Sequence, residues 1–297
     1  MEVDGVMLNA TLNIISCGLI FSRVGLGVFL SNRVLRVIDL TCEASFALGG
    51  CIYGALLMGG AIHPSIALLI AAVLGYVAGL MTATLIPCVK QNFILASLLS
   101  VSVINSFLCK ILHGESRSLA VKYSMCDTET ANFISILIIS GLCLFIFYRL
   151  LISEYGLAMR ARGDGALISE SLGINSTQVM KHGLGISNMI CAFAGALLTQ
   201  LSGRFSAEMG SGCLIFGIVA ALLGERLFDT KGFRCAVTGV FIAAVIYQIV
   251  LKCLTLQDFY GLGEEYQGVI LAATLVFLHE IKENVSNNNN DAVSIVT

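Results

Sequence analysis

The 46 residues from Ala44 to Val89 contain no Asp, Glu, Lys or Arg. An uncharged apolar run of 18 residues or more reads as a membrane span, and one helix crossing the hydrocarbon core needs about 20. As one helix this block would be about 69 Å long, over twice the thickness of that core. It has to turn, and His63-Pro64 is the natural break because proline cannot donate to a continuing helix. Seven further uncharged blocks cover 5–22, 91–109, 130–148, 182–203, 209–224, 235–251 and 266–279. With the long block split they give about nine spans, within a range of eight to ten; those ending near Leu223 and His279 are short and must tilt, borrow flanking residues or be discontinuous. Strand alternation is absent, and the pairs Gly50/Gly54 and Gly75/Gly79 have the spacing that lets helices pack closely. The expected fold is all-α: a polytopic transmembrane helical bundle forming one domain over residues 1–285, with a disordered polar tail, SNNNNDAVSIVT, over 286–297.

Charged residues make up 12% of the chain against about 25% in soluble domains, which excludes most soluble folds. A net charge of -2 supplies no basic stripe for a phosphate backbone, so nucleic acid is not an expected partner. Most of the 11 Cys lie inside apolar runs without metal-ligand spacing, and His63, His113, His182 and His279 are scattered; no metal site is expected. The amino end has two acids and no basic n-region, so the first span is expected to stay. Lys and Arg set the orientation. If the first span exits inward, eleven fall inside (Arg33, Arg36, Lys90, Arg149, Arg160, Arg162, Lys181, Arg226, Lys231, Arg234, Lys282) and five outside (Lys110, Arg117, Lys122, Arg204, Lys252). An outside amino terminus and an inside carboxyl terminus are therefore expected.

Four places break the apolar pattern, and a charge at bilayer depth is costly enough to be a functional hypothesis by default. In VIDLTCEASFALGG, Asp39 and Glu43 are one helical turn apart, with Thr41, Ser45 and Phe46 beside them. A discontinuous segment over residues 37–46 would turn these groups toward a solute pathway; the alternative is that Asp39 only caps the following helix. The polar loop 153–182 is punctuated by Gly156, Gly163, Gly165 and Gly173. Leu167, Ile168 and Leu172 predict a short amphipathic helix over 164–172, whose apolar stripe must cover a membrane surface or a partner subunit. Glu225 ends a short span beside Arg226, either solvated there or paired with a buried cation. Arg23, inside the first span, either snorkels to an edge or pairs with Asp39, Glu43 or Glu225.

Three of these stretches resemble one family. YGLAMRARGDGALISESLGINSTQVMKHGLGISNMICAFAGALLTQ (155–200) is similar to the coupling loop and following helix of ABC-importer permeases for branched-chain amino acids and ribose, with their G-x-A-x-R-A-x-G-D/N, L-G-I/V-N and A-G-A elements. RVLRVIDLTCEASFALGG resembles the D-L-[ST]-x-[DEG]-x-[SF] element of that family, and IVAALLGERLFDTKG its late inner-facing element; the likeness runs from about residue 30 to 280. It is nearest to the subgroup that works with periplasmic binding proteins, often for aromatic amino acids. Gly165 stands where relatives commonly carry Asn, which would soften the start of the coupling helix. Ala44 stands where they commonly carry Gly, which would stiffen the broken segment.

The resemblance implies a permease subunit in the bacterial cytoplasmic membrane. A second permease copy, identical or related, would complete the pathway, a cytosolic ATPase would bind the loop, and an extracytoplasmic binding protein would deliver a small polar solute such as an amino acid. Gly156, Arg160, Asp164, Leu167, Ile168, Leu172 and Gly173 then become the ATPase-coupling residues. The chain carries no phosphate cradle, so it would bind no cofactor itself, and ATP with Mg would sit on the partner. No catalytic constellation marks it as an enzyme. The rival is an ion-coupled secondary transporter using Asp39, Glu43 and Arg23; against it, only one broken segment is visible and the amphipathic loop has no role.

Overall fold

In a computed structural model of the chain, residues 2–60, 62–90, 92–112, 116–119, 129–228 and 233–256 are described. The expected span over 266–279 and the tail 286–297 lie outside them. The helices are α1 (Glu2–Phe29), α2 (Thr41–Met58), α3 (Pro64–Cys88), α4 (Phe93–Leu112), α5 (Glu129–Ile152), α6 (Glu154–Asp164), α7 (Ala166–Ser171), α8 (Ser176–Ser202), α9 (Cys213–Phe228) and α10 (Phe233–Leu256). Six helices among the described residues are long and apolar enough to cross a membrane, and Cys213–Glu225 and Ala236–Lys252 are shorter apolar helices. Each matches an uncharged block of the sequence. The 46-residue block divides at the expected place: α2 ends at Met58, and α3 opens at Pro64 with the His63 ring accepting from Ser65 N at 3.3 Å.

Helix α8 is the centre of one half of the bundle, packed between α2 and α3 through small residues. A Cβ on Gly49 would fall 1.9 Å from Ala192 O, and one on Gly195 would fall 1.9 Å from Phe46 O, so at this crossing backbone lies directly on backbone. Gly75 and Gly79 likewise face the backbone of α8, as their spacing suggested. Gly54 faces Phe205 of the α8–α9 connection, and Gly50 faces both Met209 of that connection and the Thr199 side chain of α8. Helix α1 lies against α8, α9, α10 and α5. Leu69, Val103, Ile138 and Phe145 point outward from α3, α4 and α5, an apolar exterior suited to lipid.

The two ends of the bundle differ. At one end the short strand β1 (Arg117–Ser118) pairs antiparallel with β2 (Arg204–Phe205), Arg117 opposite Phe205, which ties the α4–α5 connection to the α8–α9 connection. At the other end are α6, α7, the Arg36–Asp164 ion pair at 3.0 Å and the Arg33–Glu225 pair. Arg117 and Arg204, grouped on one side by the sequence, thus share one end of the molecule.

Candidate functional site

Helix α1 does not end in a simple cap. It widens into a π-helical turn over Leu30–Val34, Arg36 adopts a left-handed φ of 53°, and the chain stays non-helical until α2 starts at Thr41. The break therefore covers residues 35–40; Thr41 to Phe46, expected to belong to it, are already helical. Leu35 packs on Gly183 and Asp39 reaches Asn188, so this stretch climbs along α8 and brings the start of α2 to about 18 Å along α8 from Ser176. That is about half the span of a bilayer core.

A helix start at such depth exposes N–H groups that no water can satisfy. Leu40, the residue before α2, has no capping side chain, and Asp39 does the work from one position further back. Its carboxylate accepts from Thr41 N at 2.9 Å, from the Thr41 hydroxyl, and from Asn188 Nδ2 at 2.6 Å. Asn188 is saturated in turn: Nδ2 also donates to Leu184 O at 3.0 Å, and Oδ1 accepts from Ser45 Oγ at 2.7 Å. Ser187 beside it donates to Gly27 O at 2.8 Å and lies 3.6 Å from Cys42 Sγ. Asp39, Thr41, Ser45, Ser187 and Asn188 are all buried, so the network joins α1, the break, α2 and α8 without touching solvent.

A second helix begins at the same depth. After α8 the chain turns back along α2, with Phe205 against Gly54, Met209 against Gly50 and Gly210 against the Glu43 carbonyl, and α9 starts there. Glu43 Oε1 accepts from Gly212 N at 3.1 Å and Leu214 N at 3.3 Å, placing a carboxylate on the positive end of α9. The sequence shows one clear discontinuity and leaves the short span ending near Leu223 to tilt, borrow flanking residues or be discontinuous. Among the described residues a second helix start lies inside the bundle, at α9, and Glu43 connects the two. Beside this junction a cleft of about 830 Å³ is lined by Glu43, Val101, Asn105, Glu208, Gly210 and Ser211.

Among the five pathway candidates named from sequence, only Glu43 lines the cleft. Asp39, Thr41 and Ser45 lie in the buried network, and Phe46 packs 5.8 Å from Phe21, centroid to centroid. Asp39 caps the start of α2 from within the bundle and does not line the cleft. Asn188, Ser187, Asn105 and Glu208 were not singled out. An amide inside an apolar span, as in GISNMI, is the signal that could have marked Asn188. Arg23 does not pair with Asp39, Glu43 or Glu225. It is buried against α5, donating to Leu19 O at 3.1 Å, Ile136 O at 3.3 Å and Ser140 Oγ at 2.7 Å. The partner of Glu225 is Arg33, at the ends of their helices.

The loop 153–182 folds as two helices and the start of a third. Ser153 Oγ caps α6 through Gly156 N at 3.4 Å, Asp164 closes α6 rather than opening the next helix, and α7 spans Ala166–Ser171. Gly165 between them has a nearly fully extended φ of 163°, open to any residue, so its departure from Asn carries no backbone strain. Ala44 is inside α2, away from the break. Arg160 holds the α5–α6 corner through Gly156 O at 3.4 Å and Leu151 O at 3.5 Å. Gly173, at φ 76°, turns the chain after α7. Leu167, Ile168 and Leu172 are 82%, 54% and 66% exposed. Burial beside His182 and Tyr76 pushes the Tyr155 phenol of α6 up to about 12, and burial lowers the Arg162 guanidinium against the opposing pull of Glu170. Both keep their usual protonation at neutral pH.

Comparison with known proteins gives a consistent result. The family model described as branched-chain amino acid transport system, permease component, matches residues 10–279. The chain is 27% identical over 244 residues to a tyrosine transport system permease protein of Clostridioides difficile, covering 82% of each. It is 25% identical over 253 residues to an uncharacterized protein of Rickettsia prowazekii, covering 83% of this chain and 89% of that one. Among solved structures, PsaBC from Streptococcus pneumoniae, in complex with a Fab, shares the fold with a TM-score of 0.52 at 13% identity, over 94% of this chain and 93% of that one.

Proposed function

The chain belongs to the family of branched-chain amino acid transport permeases, and we propose that it is the membrane subunit of an ATP-driven importer for a small amino-acid-type solute. The observation that carries this reading is helix α7 with the residue that follows it, which present Leu167, Ile168 and Leu172 to solvent at the end of the bundle that also holds Arg33, Arg36, Arg160 and Arg162. An apolar stripe beside basic residues on a cytoplasmic loop needs a cover, and a groove on a cytosolic ATPase supplies it. ATP and Mg belong to that partner. Gly156 and Arg160 fix the corner from which the helix projects, and Gly173 ends it.

The cleft beside Glu43 is the candidate pathway in each copy, closed by a second permease chain. Its carboxylates and amide offer transient hydrogen bonds to a polar solute, while an external binding protein at the β1–β2 end supplies discrimination. The similarity to a tyrosine permease makes tyrosine the first solute to test. Placement in a bacterial cytoplasmic membrane, with the amino terminus outside, fits the Lys and Arg distribution. The ion-coupled alternative would gather Arg23, Asp39 and Glu43 into one site, whereas Arg23 bonds to neutral groups on α1 and α5.

Purification of the tagged chain from its native membrane in mild detergent, with mass spectrometry of what remains bound, tests the docking role. The expected result is a near-stoichiometric ATPase that is lost in the double variant Leu167→Asp, Ile168→Asp while the chain still inserts. Full retention of the ATPase by that variant sinks the assignment.

A further inference from the structure

We infer that the joint between α1 and α2, residues 35–40, carries movement of the loop to the mid-membrane cleft, with Gly163, Leu35 and Arg36 as its positioning residues; this rests on the docking role given to α7 above. Helix α6, which precedes α7, lies directly on the joint. A Cβ on Gly163 would fall 2.1 Å from Val34 O, so here too backbone meets backbone. One residue on, Asp164 pairs with Arg36 at 3.0 Å. From the other side a Cβ on Gly183 of α8 would fall 2.6 Å from a Leu35 methyl, so the joint is gripped between α6 and α8. Met159 of α6 is buried in the same apolar cluster as Val34, Leu35, Val37 and Met180.

The contrast with α7 decides the route. Only Ser169 of α7 is buried, and the helix connects to α8 through the exposed Leu172, the left-handed Gly173 and Ile174, which is half-buried against the core. A push on α7 spreads partly into that connection, whereas α6 bears on Val34 to Arg36 as well as on α5 and α8, and close-packed contacts of this kind have little slack to absorb a displacement. The joint is also where the helical ladder is already broken. Leu35 N bonds to Leu30 O at 3.0 Å in the π pattern and Val37 N to Ser31 O at 2.9 Å, so the segment can change shape without breaking a regular turn. Its far end is Asp39, hydrogen-bonded to Asn188 and the start of α2, and Glu43 follows one turn later at the cleft. A shift of α6 therefore arrives at the cleft as a shift of the α2 start, in the manner of a hinge that amplifies a small displacement.

The test needs no knowledge of the solute. The full chain is purified with its ATPase, and hydrogen–deuterium exchange is followed by mass spectrometry without nucleotide, with ATP plus vanadate, and after the ATPase has been stripped away. The expected result is protection of residues 166–172 by the ATPase and a severalfold nucleotide-dependent change in exchange over 35–44. In Arg36→Gly the left-handed φ suits glycine, so the chain folds, but the grip on Asp164 is lost. The response at 35–44 should weaken in that variant while protection at 166–172 remains, and Arg36→Lys should restore it. Absence of protection at 166–172 in the unmodified complex overturns the docking role and the joint together. Protection there with no response at 35–44, or a response that survives Arg36→Gly undiminished, overturns the joint alone.

Discussion

Asp39 is the residue whose loss should be felt most widely, because its carboxylate is shared by Thr41 at the start of α2 and Asn188 of α8. Asp39→Ala leaves Thr41 N and one Asn188 N–H without their buried partner, and an orphaned buried donor costs about 1–3 kcal/mol. We expect a loss of about 3 kcal/mol in thermal or denaturant unfolding of the detergent-solubilised chain, with Asp39→Asn recovering the bonds to Thr41 but not the one to Asn188, whose N–H would meet an amide nitrogen. Asn188→Ala should couple to it, with a double-mutant cycle returning at least about 1 kcal/mol of interaction; additive effects would dissolve the network into separate contacts. Arg23 behaves in the opposite way. Ser140 Oγ already donates to Ile136 O at 2.6 Å, so α5 remains satisfied without the guanidinium. Arg23→Met, which keeps the apolar stem and removes a buried charge, should leave stability within about 1 kcal/mol of the parent in the same unfolding measurement. The sequence marked both residues as out of place but could not assign their partners: those of Asp39 and Arg23 lie 149 and 117 positions away, on helices whose facing sides are set by packing.

At the scale of elements, the glycines separate positions where close approach is needed from those where it is not. Gly49→Val would drive a side chain into the α8 backbone and should cost more than about 3 kcal/mol or prevent accumulation of the protein. Gly141→Ala on α5 meets open space and should stabilise by about 0.5–1 kcal/mol through helix propensity alone. Thermal unfolding of the two variants beside the parent checks the pair. The turn at His63-Pro64 was legible because apolar block length reports directly on helices in a bilayer; of about nine spans expected, the described residues hold six helices long enough to cross and two shorter apolar ones. The break was legible as polar residues in an apolar context, yet its limits were misplaced: Thr41 to Phe46 have the composition of a loop and become helical because Asp39 and Asn188 satisfy the start of α2. The helix start ahead of α9 is legible in the sequence only as one option for a short span, because the stretch before it, 205–212, carries a single charge, Glu208, and has the composition of an ordinary surface connection. What makes it re-entrant is contact with α2, and no local pattern encodes that.

For the molecule as a whole, the two ends carry different chemistry, and the proposed orientation rests on it. Reporter fusions after Leu112 and after Gly165 should report opposite sides of the membrane, the first external and the second cytoplasmic; both on one side would overturn the proposed topology. The meeting of α2 and α9 at Glu43 also has a consequence for how the protein is made. The acceptors of α2 are synthesised long before their donors: Asn188 follows Asp39 by 149 residues, and Gly212 follows Glu43 by 169. At translation rates of about 5–20 residues per second, the acids wait roughly 8–35 s at the ribosome for their partners. During that interval the start of α2 cannot rest at bilayer depth without help, so the nascent chain must keep it beside water or within the insertion machinery. The amino-terminal half is threaded early, and the arrangement that makes it a conduit closes only when the carboxyl-terminal half arrives.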